Sequence, residues 1–283
     1  MANHTHHHHQ HHSAGEPDWA DMIELLDLDG EVLHEYLADA TGWVRQLADG
    51  QPRARIVDLG SGTGTGAIAL AQRFDGADVI AVDGAAPLLA RLRDKAVDLG
   101  LADRIHTVTA DLDEGWPALD TVDVVWASNS MHHMADPDRV LADVLGTLRP
   151  GGLLVVAEME SFPRFLPDSV GDGLEARCHA AMAETAAHEL PHLGDDWGSR
   201  VAKAGFTVEA QRTFTVDLTP PLPEATGRYA RESFRRLRQG MADQLSAADQ
   251  TRLDALIDGP DGVVGRDDLG VRTARTLWVA RRP

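Results

Sequence analysis

Ile56-Val57-Asp58-Leu59-Gly60-Ser61-Gly62-Thr63-Gly64-Thr65-Gly66 is a short apolar run that empties into a glycine-dense turn, and Ala67-Ile68-Ala69-Leu70-Ala71 follows with helix-forming residues. The apolar run predicts a buried strand. The glycines allow a sharp turn and a close approach of backbone to ligand where a Cβ would collide. The helix behind them offers free N–H groups to an anionic ligand end. Together they predict a nucleotide-type cofactor site, and the surrounding elements decide which cofactor.

Two readings compete at the loop. The dinucleotide pattern G-x-G-x-x-G/A fits Gly62, Gly64 and Ala67, with Asp83 about twenty positions on, at the end of Val79-Ile80-Ala81-Val82, placed to bond a ribose. Asp58, inside the strand, offers a carboxylate that can accept loop N–H groups. The series Asp58-x-Gly60-x-Gly62-x-Gly64 resembles the first motif of class I S-adenosylmethionine-dependent methyltransferases. Further landmarks follow in that family's order. Ala110-Asp111-Leu112 succeeds a third strand, His106–Thr109; Val122–Ala127 gives a fourth; Leu148-Arg149-Pro150-Gly151-Gly152 leads into a fifth, Leu153–Ala157. The resemblance covers roughly residues 40 to 160.

This resemblance implies an α/β, Rossmann-like, seven-stranded and mostly parallel sheet with helices on both faces. It also implies S-adenosylmethionine as cofactor and S-adenosylhomocysteine as product. The cofactor-binding set would be Asp58, Gly60, Gly62, Gly64, Asp83, Asp111, Leu112 and Asn129, with Asp111 accepting the adenine amino group. Asp111 also reads as a turn cap. Asn129 reads equally as a partner of the cofactor's amino-acid end and as an Asx-type turn residue. Independently of any family, strand–helix alternation predicts a parallel sheet covered on both faces. Ligands in such sheets lie beyond the carboxyl ends of the strands, where Gly60–Gly64, Asp83, Asp111 and the segment after Ala127 all fall.

Chemistry is expected in Ser128-Asn129-Ser130-Met131-His132-His133-Met134. Methyl transfer mainly requires alignment of nucleophile, methyl and leaving group. A hydroxyl acceptor must in addition lose a proton, and histidine suits that task near neutral pH. Small-molecule and sugar O-methyltransferases similar to this chain carry His-His after the fourth strand and an acidic residue ending the fifth, here Glu158. His133 or His132 would pair with Glu158, while the other ring packs. No metal is expected in the reaction.

Composition narrows the partners. A net charge of −19 over 283 residues repels a phosphate backbone, so the expected partner is a small molecule and not nucleic acid. No apolar stretch approaches the ~20 residues needed to span a membrane. The single cysteine, Cys178, excludes an internal disulfide framework, and with no apolar signal core after Met1 a cytoplasmic protein is expected. A homodimer is possible from the covers and sheet edge.

The flanks are read as additions to a core at 51–160. Residues 1–16 carry His4, His6–His9, His11 and His12, a disordered tail that is either metal-binding or a tag. A helical cover is expected over 17–50, punctuated by Gly30 and Gly42, with Tyr36 and Trp43 lining it or simply packing. Residues 161–283 complete the sheet, with substrate-lid insertions at about 160–195 and 218–268 and a final antiparallel edge strand, Arg272–Ala280. Arg228, Arg231, Arg235, Arg236 and Arg238 read as a solvated basic face. The expected activity is methyl transfer to oxygen of a small molecule. The alternatives are N- or C-methylation with the histidines only positioning the acceptor, or a non-catalytic S-adenosylmethionine-binding protein. A nicotinamide dehydrogenase lacks its hydride-transfer residues here.

Overall fold

The computed structural model describes residues 19–48 and 54–283, apart from the side chains of Ala187 and His188; the expected tail at 1–16 lies outside the described residues. Two helices, α1 (Trp19–Val32) and α2 (His34–Leu47), precede the alternating core: β1 (Arg55–Leu59), α3 (Thr65–Arg73), β2 (Asp78–Asp83), α4 (Ala86–Asp98), β3 (Ile105–Thr109), β4 (Val122–Ser128), α5 (Pro137–Thr147) and β5 (Leu148–Arg164). There follow α6 (Leu174–Glu189), α7 (Trp197–Lys203), β6 (Thr207–Leu218), α8 (Thr226–Gly240), α9 (Ala247–Asp258) and β7 (Val271–Arg281).

Local chemistry sets several boundaries. Asp136 caps α5 by accepting from the Arg139 N–H at 3.0 Å, with Pro137 in the first turn. Gly100, at φ +67, accompanies the end of α4. Gly30 and Gly42 do not punctuate the N-terminal cover but lie inside α1 and α2, which part at Leu33. Gly30 serves contact instead: a Cβ there would fall 2.5 Å from the Thr65 methyl, so its absence lets α1 lie on the start of α3.

The seven strands run in the order β3-β2-β1-β4-β5-β7-β6, parallel from β3 to β5, with β7 antiparallel to both its neighbours. The final strand is therefore not the edge. Leu277-Trp278-Val279-Ala280 is apolar on both faces and is buried between β5 and β6. β6 alternates polar residues, is largely exposed, and takes the edge. β5 also runs past the expected Ala157, through bulges, as far as Arg164.

Side-chain alternation gives the sheet two packed faces. Ile56, Trp126, Val155 and Leu277 face α1–α4, α8 and α9; Val57, Val125, Val156 and Trp278 face α5 and α7. Each buried large aliphatic side chain contributes about 1.5–3 kcal/mol. Among the described residues, no helix is long and apolar enough to cross a membrane. Strand order reverses between β1 and β4, which opens a crevice above their carboxyl ends.

Candidate active site

The crevice is built from the β1–α3 loop and the segment after β4. Gly60 turns at φ +64, and its N–H and that of Ser61 both donate to the Val82 carbonyl, at 2.8 and 3.1 Å. A Cβ on Gly60 would lie 2.4 Å from the Ser130 Cβ, so only glycine lets the two segments touch. The Ser130 hydroxyl closes the clasp by donating to the Leu59 carbonyl at 2.9 Å.

Asp83 fixes the loop from β2. One carboxylate oxygen accepts the Gly62 N–H and the other the Ala85 N–H, each at 2.8 Å. The sequence reading gave that work to Asp58, which shares it from below by accepting the Ala67 N–H at the loop's far end. Strand alternation points Asp58 to the α3 side, beside Trp126 and the Ala67 amide. Burial pushes its carboxyl up to about 8; the Ala67 N–H opposes the rise and the charge of Asp83 adds to it.

Several buried polar atoms around this loop have no partner: Asp58 Oδ2, the Ser61 hydroxyl, Trp126 Nε1 and Asn129 Oδ1. Each such group costs about 1–3 kcal/mol when left unpaired. The Ser61 hydroxyl and Asn129 Oδ1, on the two segments that wall the crevice, would find partners on a polar ligand there, which fits a cofactor with hydroxyl, amino and carboxylate groups, whereas Asp58 Oδ2 and Trp126 Nε1 lie together under Gly66. Asn129 adopts φ +50, in the left-handed region. Its side-chain oxygen is free, so it does not cap an Asx turn. Asp111, by contrast, does cap a turn, accepting from Asp113 N–H at 2.9 Å, and is otherwise exposed. Leu112 packs into the α5-side core, and Arg139 donates to its carbonyl.

A short 3-10 turn, Met131–His133, carries the two histidines. Glu158, where β5 passes beyond the end of β4, receives His132 Nδ1 on one oxygen at 2.5 Å and the Met131 N–H on the other at 3.1 Å. Both side chains are 4% exposed. The adjacency of β4 and β5 in the sheet creates this pair. His133 turns away from the carboxylate; its ring stacks on His132 with centroids 4.1 Å apart and reaches solvent. Surrounding protein, then His132 and Arg236, push its pKa down to about 4. Of the two expected pairings, the fold makes His132–Glu158 and leaves His133 without an orienting acid.

Residues 56–152 match the family model of a methyltransferase domain. A malonyl-[acyl-carrier protein] O-methyltransferase of Laribacter hongkongensis is 33% identical over 59% of this chain and 55% of its own length. Over residues 56–152 the chain is thus similar to S-adenosylmethionine-dependent methyltransferases. A 27-O-demethylrifamycin SV methyltransferase of Amycolatopsis mediterranei is 28% identical to this chain over 69% of the chain and 67% of the relative. A solved structure from Bacillus halodurans, itself assigned as a methyltransferase, shares the fold at 18% identity, with a TM-score of 0.56 over 86% of this chain and 98% of that one. The chain spans about half the length of the first curated relatives it matches.

Sequence reasoning missed a second buried polar group in this chain. Arg275 of β7 donates to Asp29 of α1 at 2.6 Å, and the Tyr229 hydroxyl of α8 donates to the same oxygen at 2.6 Å. The Arg275 guanidinium also lies over the ring of Tyr36 in α2, 5.2 Å from its centroid. One signal was available: period two puts Arg275 on the same face as Leu277 and Val279, so an arginine points inward. The basic face expected on α8 is likewise tied down. Arg231 and Arg235 hold the buried Glu232, and Arg238 pairs with Asp254 of α9 at 2.9 Å.

Proposed function

We propose that the protein transfers the methyl group of S-adenosylmethionine to an oxygen of a small molecule, with His132 as general base and Glu158 as its positioning partner. The observation that carries this reading is the buried 2.5 Å contact between His132 Nδ1 and Glu158 beside the glycine loop. With Nδ1 turned to the carboxylate, Nε2 is the nitrogen left for the acceptor. The cofactor supplies an electrophilic methyl on a sulfonium, whose carbon–sulfur bond breaks as the oxygen–carbon bond forms, leaving a neutral thioether. His132 takes the hydroxyl proton, and Glu158 stabilises the resulting imidazolium. Gly60, Gly62 and Gly64 shape the cradle, Asp83 faces the ribose, and Asn129 faces the amino-acid end. Asp58 supports the cradle from below, and Asp111 and Leu112 border the adenine.

The overall charge of −19 supports a small-molecule acceptor over nucleic acid. The single cysteine, Cys178, is buried and fits a reducing compartment such as the cytoplasm. The segments after β5, chiefly α6 and α8, would form the lid that selects the acceptor. The test is turnover with labelled S-adenosylmethionine against a panel of phenols, sugars and amines, followed by location of the methyl group in the product. Oxygen methylation that collapses in His132→Ala is expected. Methyl found only on carbon or nitrogen, or turnover indifferent to His132, would contradict it.

A further inference from the structure

Arg236 is the exception on α8. The other arginines of that helix are matched by acids: Arg228 lies 3.9 Å from Glu24, Arg231 and Arg235 hold Glu232, and Arg238 holds Asp254. Among the described residues Arg236 meets no carboxylate; its exposed guanidinium donates to the Met22 sulfur at 3.6 Å. A thioether is a weak acceptor and carries no charge. The cation therefore stands uncompensated in a chain whose net charge is −19.

Its position turns that charge towards the crevice. Met22 and Leu26 are four residues apart on α1 and share one face of the helix. A Cβ on Gly62 would come 3.4 Å from Leu26 Cδ1, so this face of α1 lies on the glycine loop. The contact with Met22 thus holds Arg236 one helical turn from the residue that covers the loop. Its charge also reaches the turn after β4, where it acts on His133. His133 in turn stacks on His132, with centroids 4.1 Å apart, and both His133 and Arg236 reach solvent. A molecule entering from solvent towards His132 finds an unmatched guanidinium beside its path.

We propose that Arg236 is the specificity-determining residue of the acceptor site and that the acceptor is a hydroxylated organic acid, its carboxylate on Arg236 and its hydroxyl towards His132. This deepens the methyl-transfer reading above and rests on it. A guanidinium presents its N–H groups as a planar fork that matches both oxygens of a carboxylate. One uncompensated cation calls for one negative charge; a phosphate dianion would need a second, and the other arginines of α8 are already paired with acids. The local cation draws in an anion that the overall charge would repel. Anchored there, the acceptor presents its hydroxyl in one orientation, which is the alignment that methyl transfer requires.

The test uses the full chain saturated with S-adenosylhomocysteine. Calorimetric affinities are measured for meta-hydroxybenzoate, para-hydroxybenzoate and para-hydroxycinnamate against the corresponding amides, which keep ring and hydroxyl and lose the charge. At least one acid is expected to bind roughly three- to tenfold tighter than its amide. Arg236→Gln should erase that preference and Arg236→Lys keep part of it, with melting temperature and S-adenosylhomocysteine affinity unchanged in both. Arg238→Gln, which alters a paired cation on the same helix, should leave the preference intact. Acids that bind no tighter than amides, no binding of any probe, or a preference that survives Arg236→Gln overturns the proposal. So does a loss of S-adenosylhomocysteine affinity in Arg236→Gln, which would place the guanidinium on the cofactor's own carboxylate. Failure of the wild type to bind S-adenosylhomocysteine would instead overturn the methyl-transfer reading, so the two failures are distinguishable.

Discussion

Two buried polar clusters flank the carboxyl end of the sheet, and they are assembled in opposite ways. His132, Glu158 and the Met131 amide come from two short stretches that neighbouring strands bring together, and each oxygen of Glu158 is occupied. Asp29, Tyr36, Tyr229 and Arg275 come from α1, α2, α8 and β7, and meet through two bonds to one Asp29 oxygen and the Arg275 guanidinium over the Tyr36 ring. The closed cluster does one thing, which is to hold one imidazole in one orientation. The second cluster is as buried but long-range, and it depends on α1, α2 and α8 all folding onto β7. The first orients one side chain; the second pins distant helices to the sheet.

Breaking the closed cluster should have the largest effect. His132→Ala is expected to lower kcat by ~10²–10⁴-fold, the usual contribution of a general base, with calorimetric affinity for S-adenosylhomocysteine unchanged. Turnover near wild type would move the base elsewhere. Next comes the loop between the clusters. Asp83→Ala removes the acceptor for the Gly62 and Ala85 amides and should weaken S-adenosylhomocysteine roughly tenfold or more. Unaltered affinity would show that Asp83 braces the loop without meeting the ligand.

Smaller effects concern charge. The folded pKa of Asp58, about 8, is above that of an unfolded aspartate, so the folded chain binds the extra proton. Stability should therefore fall as pH rises from ~4 towards that value and level off above it. Asp58→Asn should remove this slope from the melting temperature; a slope that persists would assign it to other groups. The smallest effect is at His133, whose pKa is depressed to about 4. Its contribution to stability is complete above the unfolded value of ~6.5 and is lost as pH falls through the folded one. His133→Gln should flatten that acid limb with turnover close to wild type. A large loss of turnover would transfer the base from the paired ring to the unpaired one.

The same contrast explains what could be read from the sequence. The glycine loop, the Asp136-Pro137 helix start and the strand–helix alternation are local signals, and the chain follows them closely. His-His and Glu158 were visible as residues following β4 and ending β5, but register and the 3-10 turn choose His132 over His133. That choice is geometric, and no spacing encodes it. Asp58 was read as the loop's brace, but strand alternation sends its carboxylate under α3, where it meets the Ala67 N–H, and Asp83 holds the Gly62 N–H. β7 read as an edge although its unbroken apolar run already marked it for burial on both faces. Gly30 answers to Thr65, and Arg275 to Asp29 and Tyr36, contacts that exist only once distant elements have met.

The most direct measurement is calorimetric titration of the purified protein with S-adenosylhomocysteine, with NADH as control. Saturable binding of S-adenosylhomocysteine alone is the expected result if, as proposed, the loop at Gly60–Gly64 and Asp83 hold a methyl-donor cofactor. No binding, or a preference for NADH, would contradict the assignment of that loop and every role built on it.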